Sequence, residues 1–267
     1  MSSSNVNLGG GIAVAFGFLL LLLLPFEAFF RAFDFPSFQS EQLGDIMKNL
    51  IIMIGAFVLI YRSGYQKLAG LTTLKTKITF LIIVPLYFLL AGPFQYWILD
   101  YQFDSIQIGD IFILLLAMLS VGFSEELVFR GYVLPHLLIG ADARQRLIIP
   151  IFTAGFLFGV LHFVNLLSPD ANIITVCAQV TYATMFGIAF GILLLRTERI
   201  FPIGCLHGLI NFSGNLHDLP GAIEPGNIDE YRVWEAVLSI IIVIPFFILA
   251  LRQLPKIQRE HLLQQYK

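Results

Sequence analysis

The sequence predicts an all-α protein, a polytopic transmembrane bundle of about eight helices. Two observations favour this fold class. The chain is 57% hydrophobic and only 13% charged, with a mean hydropathy of +0.82, whereas a soluble domain has roughly 25% charged residues. Apolar runs of helical length also recur along the whole chain. Because it has only 267 residues, we expect one membrane domain that covers residues 1–267.

Eight stretches are apolar enough to be membrane helices, which need about 20 residues each. They cover residues 9–30, 46–62, 78–99, 108–138, 147–167, 172–195, 200–213 and 233–252. The fourth stretch is long and polar in its second half, and the seventh is short, with Pro202 at its start. The segment MSSSNVNLGG carries no positive charge, so we expect no removable signal peptide.

Lysine and arginine are unevenly distributed between the two sides of such a bundle. The loops on one side contain only Arg31, Lys48 and Arg232. The segments after the second, fourth, sixth and eighth stretches contain Arg62, Lys67, Lys75, Lys77, Arg144, Arg146, Arg196, Arg199, Arg252, Lys256, Arg259 and Lys267. The positive-inside rule places this second set in the cytoplasm. We therefore expect an integral protein of the cytoplasmic membrane, with both termini cytoplasmic. A net charge of −2 gives no indication of a nucleic-acid partner.

Polar side chains interrupt the apolar pattern inside three of the predicted helices. They are Glu125, Glu126 and Arg130 in SEELVFRGY, His162 in FGVLH, and His207 and Asn211 in HGLIN. An ionisable group in hydrocarbon costs at least about 2.5–3.5 kcal/mol, so it normally faces protein or water and has a function. We expect the three groups to meet in a water-containing cavity in the middle or inner half of the bilayer.

The spacing within the first group separates the two carboxylates. Glu126 and Arg130 are four residues apart and can form an ion pair on one helix face. Glu125 is rotated by about 100° from Glu126 around the helix, so Arg130 cannot neutralise both equally well. We interpret Glu125 as the carboxylate that remains free to handle a water molecule. The alternative interpretation is a buried polar network without chemistry.

Pairs of glycines accompany the two histidines. Small residues four apart let membrane helices approach closely, so each histidine is expected to face a neighbouring helix. These pairs are Gly155 with Gly159 and Gly204 with Gly208, and Gly187 with Gly191 repeat the spacing in the sixth stretch.

A carboxylate, two imidazoles and an amide can perform hydrolysis in two ways. A glutamate with a histidine beside it can activate water as a general base, while the second histidine and the asparagine donate to an oxyanion. Alternatively, Glu125, His162 and His207 match the His₂Glu ligand set of catalytic zinc. The residues alone leave both open. A proton relay in a transporter is a third interpretation, but no inverted repeat is apparent.

The three motifs, in this order, resemble a known family. EExxxR at Glu125–Arg130, FxxxH at Phe158–His162 and HxxxN at His207–Asn211 are similar to those of the CPBP family. This family comprises CAAX proteases and bacteriocin-processing enzymes, and is also called the Abi or type 2 CAAX prenyl endopeptidase family. The motifs span residues 125–211, and we expect a shared catalytic core over about 108–252.

The resemblance implies an intramembrane endopeptidase. Carried over by motif, Glu125 would activate water with His162, and His207 with Asn211 would form the oxyanion hole; Glu126 and Arg130 complete the candidate catalytic set. Family members are described both as zinc metalloproteases and as metal-independent glutamate proteases, so zinc is a candidate cofactor, with Glu125, His162 and His207 as its ligands.

The resemblance also implies a substrate class. The expected partners are the lipid bilayer and a membrane-anchored protein or peptide. In eukaryotic relatives this is a prenylated protein that loses its last three residues at the cytoplasmic face, and in bacterial relatives peptide maturation and self-immunity to bacteriocins are associated roles. The alternative function is a non-catalytic membrane scaffold or self-immunity protein.

Overall fold

A computed structural model describes residues 8–72, 80–141, 147–168, 171–226 and 228–257. The α-helices are α1 (Leu8–Leu22), α2 (Glu27–Arg31), α3 (Ser37–Arg62), α4 (Phe80–Ile98), α5 (Ile108–Glu126), α6 (Leu134–Gly140), α7 (Ile148–Leu161), α8 (Ile173–Thr197), α9 (Phe201–Gly214) and α10 (Ile228–Leu251). A π-helical segment, Leu127–Val133, joins α5 to α6, and a 3₁₀ segment, His162–Leu167, follows α7.

The predicted fold class, an all-α polytopic bundle, is confirmed. Six helical segments among the described residues are long and apolar enough to span a membrane. They are Gly9–Arg31, Ser37–Arg62, Ile108–Gly140, Ile148–Leu167, Ile173–Thr197 and Arg232–Lys256. The other two predicted helices correspond to α4 and α9. With 14 residues, α9 is shorter than the about 20 that a full crossing requires.

Two helices differ from the boundaries predicted for them. The first predicted helix is interrupted between α1 and α2, where Pro25 lacks the N–H group that a continuous helix needs. Helix α3 begins at Ser37 rather than at residue 46. Only Phe38 and Leu43 are large apolar residues among its first nine, so an apolar window excludes them, yet Ser40, Gln42 and Gly44 are buried there. Packing against neighbouring segments therefore extends this helix beyond its apolar part.

The described residues contain one small antiparallel sheet at one end of the bundle. Strand β1 (Gln102–Phe103) pairs with β2 (Ala222–Ile223), with Gln102 opposite Ile223 and Phe103 opposite Ala222. The Asp104 amide also donates to the Gly221 carbonyl at 2.8 Å. This sheet ties the loop after α4 to the loop after α9.

Helix packing places α5 and α8 at the centre. Helix α5 packs against α9 and α3, and α8 packs against α7 and α10. The π-helical segment contacts both groups, and its Phe129 belongs to the main apolar core. Large apolar side chains elsewhere point outward: Trp97 is 75% exposed, Ile54 65% and Leu90 63%. Such a surface suits lipid rather than water.

Candidate active site

The carboxylates and the arginine lie where α5 changes to the π-helical segment. Glu125 and Glu126 end α5, and Arg130 lies within the π turn, where all three side chains are buried. π-helical turns are rare and frequently occur at functional sites. Pro135 follows at the start of α6, and because it donates no backbone hydrogen bond, it weakens the regular helical ladder here.

Glu126 and Arg130 form a buried ion pair. Arg130 Nη1 lies 3.0 Å from Glu126 Oε1, and the two side chains are 2% and 0% exposed. The guanidinium also lies over an aromatic ring, with its central carbon 4.4 Å from the centroid of Phe158. The spacing of these residues in the sequence therefore predicted their contact correctly.

His207 joins the third of the three polar groups to the first. Its Nδ1 lies 2.8 Å from Glu126 Oε1, and its Nε2 lies 3.4 Å from Glu125 Oε2. An ionised carboxylate has no hydrogen to donate and can only accept, so Nδ1–H of His207 donates to Glu126. This bond fixes the orientation of the ring and directs Nε2 toward Glu125.

The contact between His207 Nε2 and Glu125 requires a proton. If both groups were deprotonated at these atoms, a nitrogen lone pair would face a carboxylate at 3.4 Å. A proton on Nε2 or on the Glu125 oxygen removes this repulsion. With His207 as an imidazolium, two carboxylates and two cations balance, which is how buried charges become tolerable.

Close helix approach positions His207. Gly208 lies so near α5 that an added Cβ would be 2.6 Å from Leu119 Cα. Facing it, an added Cβ on Gly122 would be 2.8 Å from Gly208 Cα. Similarly, an added Cβ on Gly187 would be 2.7 Å from Gly155 Cα. The predicted glycine contacts between helices are therefore present at Gly208 and at Gly155, and Gly122 is a partner that the sequence pattern missed.

His162 lies apart from the two carboxylates, at the start of the 3₁₀ segment. Its Nδ1 is 3.0 Å from the Phe158 carbonyl oxygen. Since a carbonyl only accepts, Nδ1 donates this hydrogen bond, and Nε2 is the ring nitrogen that can take part in a further contact. The direct imidazole contact of Glu125 is thus with His207, whereas the family resemblance paired Glu125 with His162.

One cavity connects four of the six predicted site residues. It has a volume of about 600 Å³ and is lined by Glu125, His162, His207 and Asn211, among others. Its size suits a ligand such as a short peptide segment. Glu126 and Arg130 do not line it; they support its wall from behind.

The cavity extends from Glu125 to one end of the bundle. The lining there comes from the C-terminal ends of α4, α7 and α9 and from the N-terminal ends of α3, α8 and α10. All these ends lie on the side that carries the loops predicted to be outside. In the predicted orientation the cavity therefore opens toward the outer face, whereas the sequence predicts a cavity in the middle or inner half of the bilayer.

Several polar residues of this outer part were not predicted as site residues. They are Asp45, Gln95, Asn165, Gln179, His217, Glu235 and Ser239. Two hydrogen bonds hold part of the wall: Asn165 donates to Gln179 at 2.7 Å, and Gln95 donates to Ser239 at 3.1 Å. Polar residues near helix ends are common in membrane proteins, so their positions alone did not distinguish them. Asn49, which accepts a hydrogen bond from Ser124 beside Glu125, was missed for the same reason.

The described residues do not form a ready metal centre. Among them, no group of three or more His, Cys, Asp or Glu side chains is arranged to hold a metal ion. Both nitrogens of His207 already face carboxylates. The candidate ligands Glu125, His162 and His207 therefore do not fit zinc in this arrangement, and we derive no step through a metal.

A comparison with known protein families finds a match in the central part of the chain. Residues 107–213 match the family model described as Type II CAAX prenyl endopeptidase Rce1-like. No curated protein matches the chain. The matched region runs from the residue before α5 to the end of α9 and contains all three motifs. This match supports the resemblance that the motifs indicated, over a region that is less than half of the chain. The six long apolar helical segments in the described residues indicate an integral membrane protein.

Proposed function

We propose that this protein is an intramembrane endopeptidase that hydrolyses a peptide bond of a membrane-anchored protein or peptide, with Glu125 as the group that activates water. The observation that carries the proposal is the common cavity: Glu125, His162, His207 and Asn211 come from three separate helical segments and line the same space. A site for hydrolysis needs such convergence of a base and hydrogen-bond donors around one reacting atom.

Each residue has a role that its contacts support. Glu125 accepts a proton from the attacking water and passes it to the leaving amine. His162 Nε2, whose partner nitrogen is held by the Phe158 carbonyl, helps to orient or deprotonate that water. His207 carries a donor toward the cavity, and together with Asn211 it stabilises the negative oxygen of the tetrahedral intermediate.

Glu126 and Arg130 act through other residues. Glu126 accepts from His207 Nδ1 and pairs with Arg130, so it holds the imidazole in the orientation in which Nε2 faces Glu125. Arg130 balances the charge of Glu126 in a region without water. They are positioning residues in this proposal, while Glu125, His162, His207 and Asn211 contact the substrate or the water.

The experiment that tests the proposal is cleavage of membrane-anchored peptides, with and without a C-terminal lipid, by the purified protein in nanodiscs. We expect Glu125→Gln to lower the rate by about 10²–10⁴-fold, as for loss of a general base, while folding is unchanged. The matched control is Glu224→Gln, because Glu224 is exposed and does not line the cavity. Full activity of Glu125→Gln would reject Glu125 as the group that activates water. Failure of the folded wild-type protein to cleave any of the peptides would favour the scaffold or self-immunity function.

Metal dependence is measured in the same assay. Activity that survives a strong chelator would support the glutamate mechanism. Activity that is lost with the chelator and restored by zinc, together with stoichiometric zinc in the protein, would instead make Glu125, His162 and His207 ligands.

A further inference from the structure

A second cavity, of about 410 Å³, lies beside the first. It is lined by Glu27, Phe38, Glu41, Gln42, Asp45 and Asp218, and we call it the acidic pocket. Asp45 also lines the larger cavity that contains Glu125. The two spaces are therefore neighbours that share Asp45 in their walls.

The lining of the acidic pocket is rich in hydrogen-bond acceptors and contains no basic residue. Arg31 pairs with Glu41 at 2.8 Å and Lys48 with Asp45 at 2.6 Å, which balances two of the four carboxylates. Asp218 lies 3.4 Å from His217 Nε2. In the described part of the chain, no basic side chain forms an ion pair with Glu27. The pocket therefore favours a positive charge.

A separate observation indicates that a hydrogen-bond donor belongs here. Gln42 is only 6% exposed, lines the pocket, and its Oε1 accepts no hydrogen bond from the described residues. A buried carbonyl oxygen without a donor destabilises a protein, and such groups are rare unless a ligand or water satisfies them. Phe38, also in the lining, offers a ring over which a cation can lie.

We propose that the acidic pocket binds a basic side chain of the substrate, an arginine or lysine close to the bond that is cleaved. Guanidinium and ammonium groups are donors without acceptors, so they match carboxylates and an unsatisfied carbonyl. A metal ion fits less well, because the carboxylates are not arranged as a metal-ligand group in the described residues. This proposal rests on the proposed function, since it assigns a subsite to the same peptide substrate.

The test compares paired peptides that differ only in charge. Ten-residue peptides, anchored by an acyl chain, carry either arginine or its neutral analogue citrulline, and this position is moved along the sequence. Binding to the Glu125→Gln variant in nanodiscs is measured by fluorescence anisotropy, and cleavage is measured with the wild-type protein. At one position we expect the arginine peptide to bind about tenfold more tightly, as for a hydrogen-bonded charge.

Three variants test whether the acidic pocket produces the preference for the arginine peptide. Asp218→Asn and Gln42→Met should each reduce it to less than about threefold, since the first removes a negative charge from the pocket and the second removes an acceptor. Asp218 is partly exposed, so its variant should fold even if Gln42→Met does not. The control is Asp100→Asn, at an exposed loop position outside both cavities; Asn tolerates the positive φ of 58° found there,.

The outcomes separate the two proposals. Equal binding of the arginine and citrulline peptides at every position would overturn the acidic pocket as a subsite, and so would an equal loss of preference in Asp100→Asn, which would indicate only long-range attraction. Cleavage without arginine preference would leave the proposed function intact. Arginine preference in binding without any cleavage would leave the acidic pocket intact and reject the proposed function.

Discussion

Glu126 contacts two groups at once, the guanidinium of Arg130 and the imidazole of His207. Its other oxygen, Oε2, and both terminal nitrogens of Arg130 make no hydrogen bond of good geometry within the described residues. The pair is therefore held by charge and by the surrounding rings, among them Phe158. Such a pair is costly to separate, because the partner that remains has no access to water.

Removal of Glu126 should therefore destabilise the protein. We expect Glu126→Ala to lower the free energy of unfolding by about 3–5 kcal/mol, since it leaves Arg130 buried and unpaired. The double variant Glu126→Leu/Arg130→Met should recover much of this loss, because no uncompensated charge remains. The measurement is unfolding of both variants in the same detergent.

The double variant also separates stability from catalysis. It should stay inactive even where it is stable, since Glu126 no longer orients His207. A free energy of unfolding of Glu126→Ala within about 1 kcal/mol of the wild-type value would contradict the view that this ion pair supports the site.

For individual residues, the sequence predicted several contacts of the candidate site, because polar residues are rare inside the helices of this chain. The contact of Glu126 with Arg130 followed from a four-residue spacing, and Glu125 was correctly separated from that pair. The contact of Glu125 with His207 did not follow, because it depends on how α9 crosses α5. The raised pKa of Asp218 did not follow from the sequence either. Partial burial, with Glu41 and Asp45 nearby, raises this pKa, while His217 lowers it.

The crossing of α5 and α9 is the element-scale feature on which the site depends. At Gly208 the backbones approach so closely that a methyl group would meet the α5 main chain rather than a movable side chain. Backbone cannot yield as a side-chain end does, so the helices themselves would have to separate.

We expect Gly208→Ala to destabilise the protein by about 1–3 kcal/mol, as for overpacking, and to lower cleavage further than this loss explains. His207 is the neighbouring residue, so a shift of α9 moves its imidazole away from Glu125. The control is Gly55→Ala in α3, where an added Cβ meets nothing within 4 Å. Both variants are compared by thermal unfolding and by cleavage rate.

Two results would argue against this interpretation. Wild-type activity in Gly208→Ala would mean that the helix crossing does not set the catalytic geometry. An equal loss in Gly55→Ala would mean that the effect is a general response of membrane helices to glycine replacement.

The existence of the helices was predictable, whereas their irregular turns were not. Apolar runs located eight segments, and each corresponds to a described helix. The apolar pattern predicts a continuous α-helix through Leu127–Val133, where the structure has a π-helical turn. Gly131 and Pro135 were the available signals: an added Cβ on Gly131 would lie 2.6 Å from Ile60 Cδ1, and Pro135 cannot donate to the helical ladder.

For the molecule as a whole, the distribution of charge and the position of the cavity place the opening of the candidate active site on one side of the membrane, and the family resemblance implies the other side. The twelve basic residues predict that the termini are cytoplasmic, and the cavity extends to the other face, where the β1–β2 sheet and the loop after α9 lie. By contrast, eukaryotic relatives, as the resemblance implied, process their substrates at the cytoplasmic face. Neither composition nor helix count could resolve this, because the direction of a cavity depends on tertiary packing.

Labelling with a membrane-impermeant maleimide decides the orientation. The background lacks the two native cysteines, both free in the structure, through Cys177→Ser and Cys205→Ala. We expect Glu224→Cys, next to β2 at the cavity end, to be labelled in intact cells. Ser63→Cys, which follows α3 at the opposite end, should be labelled only after the membrane is permeabilised.

This pattern would place the cavity opening outside the cytoplasm, so that the substrate arrives from that face and its basic side chain enters the acidic pocket from there. The reverse pattern would refute the orientation that the positive-inside rule predicts. It would open the cavity to the cytoplasm, as expected for removal of C-terminal residues from a lipidated cytoplasmic protein. Because the acidic pocket lies at the same end of the bundle, its proposed role holds for either orientation, and only the source of the substrate changes.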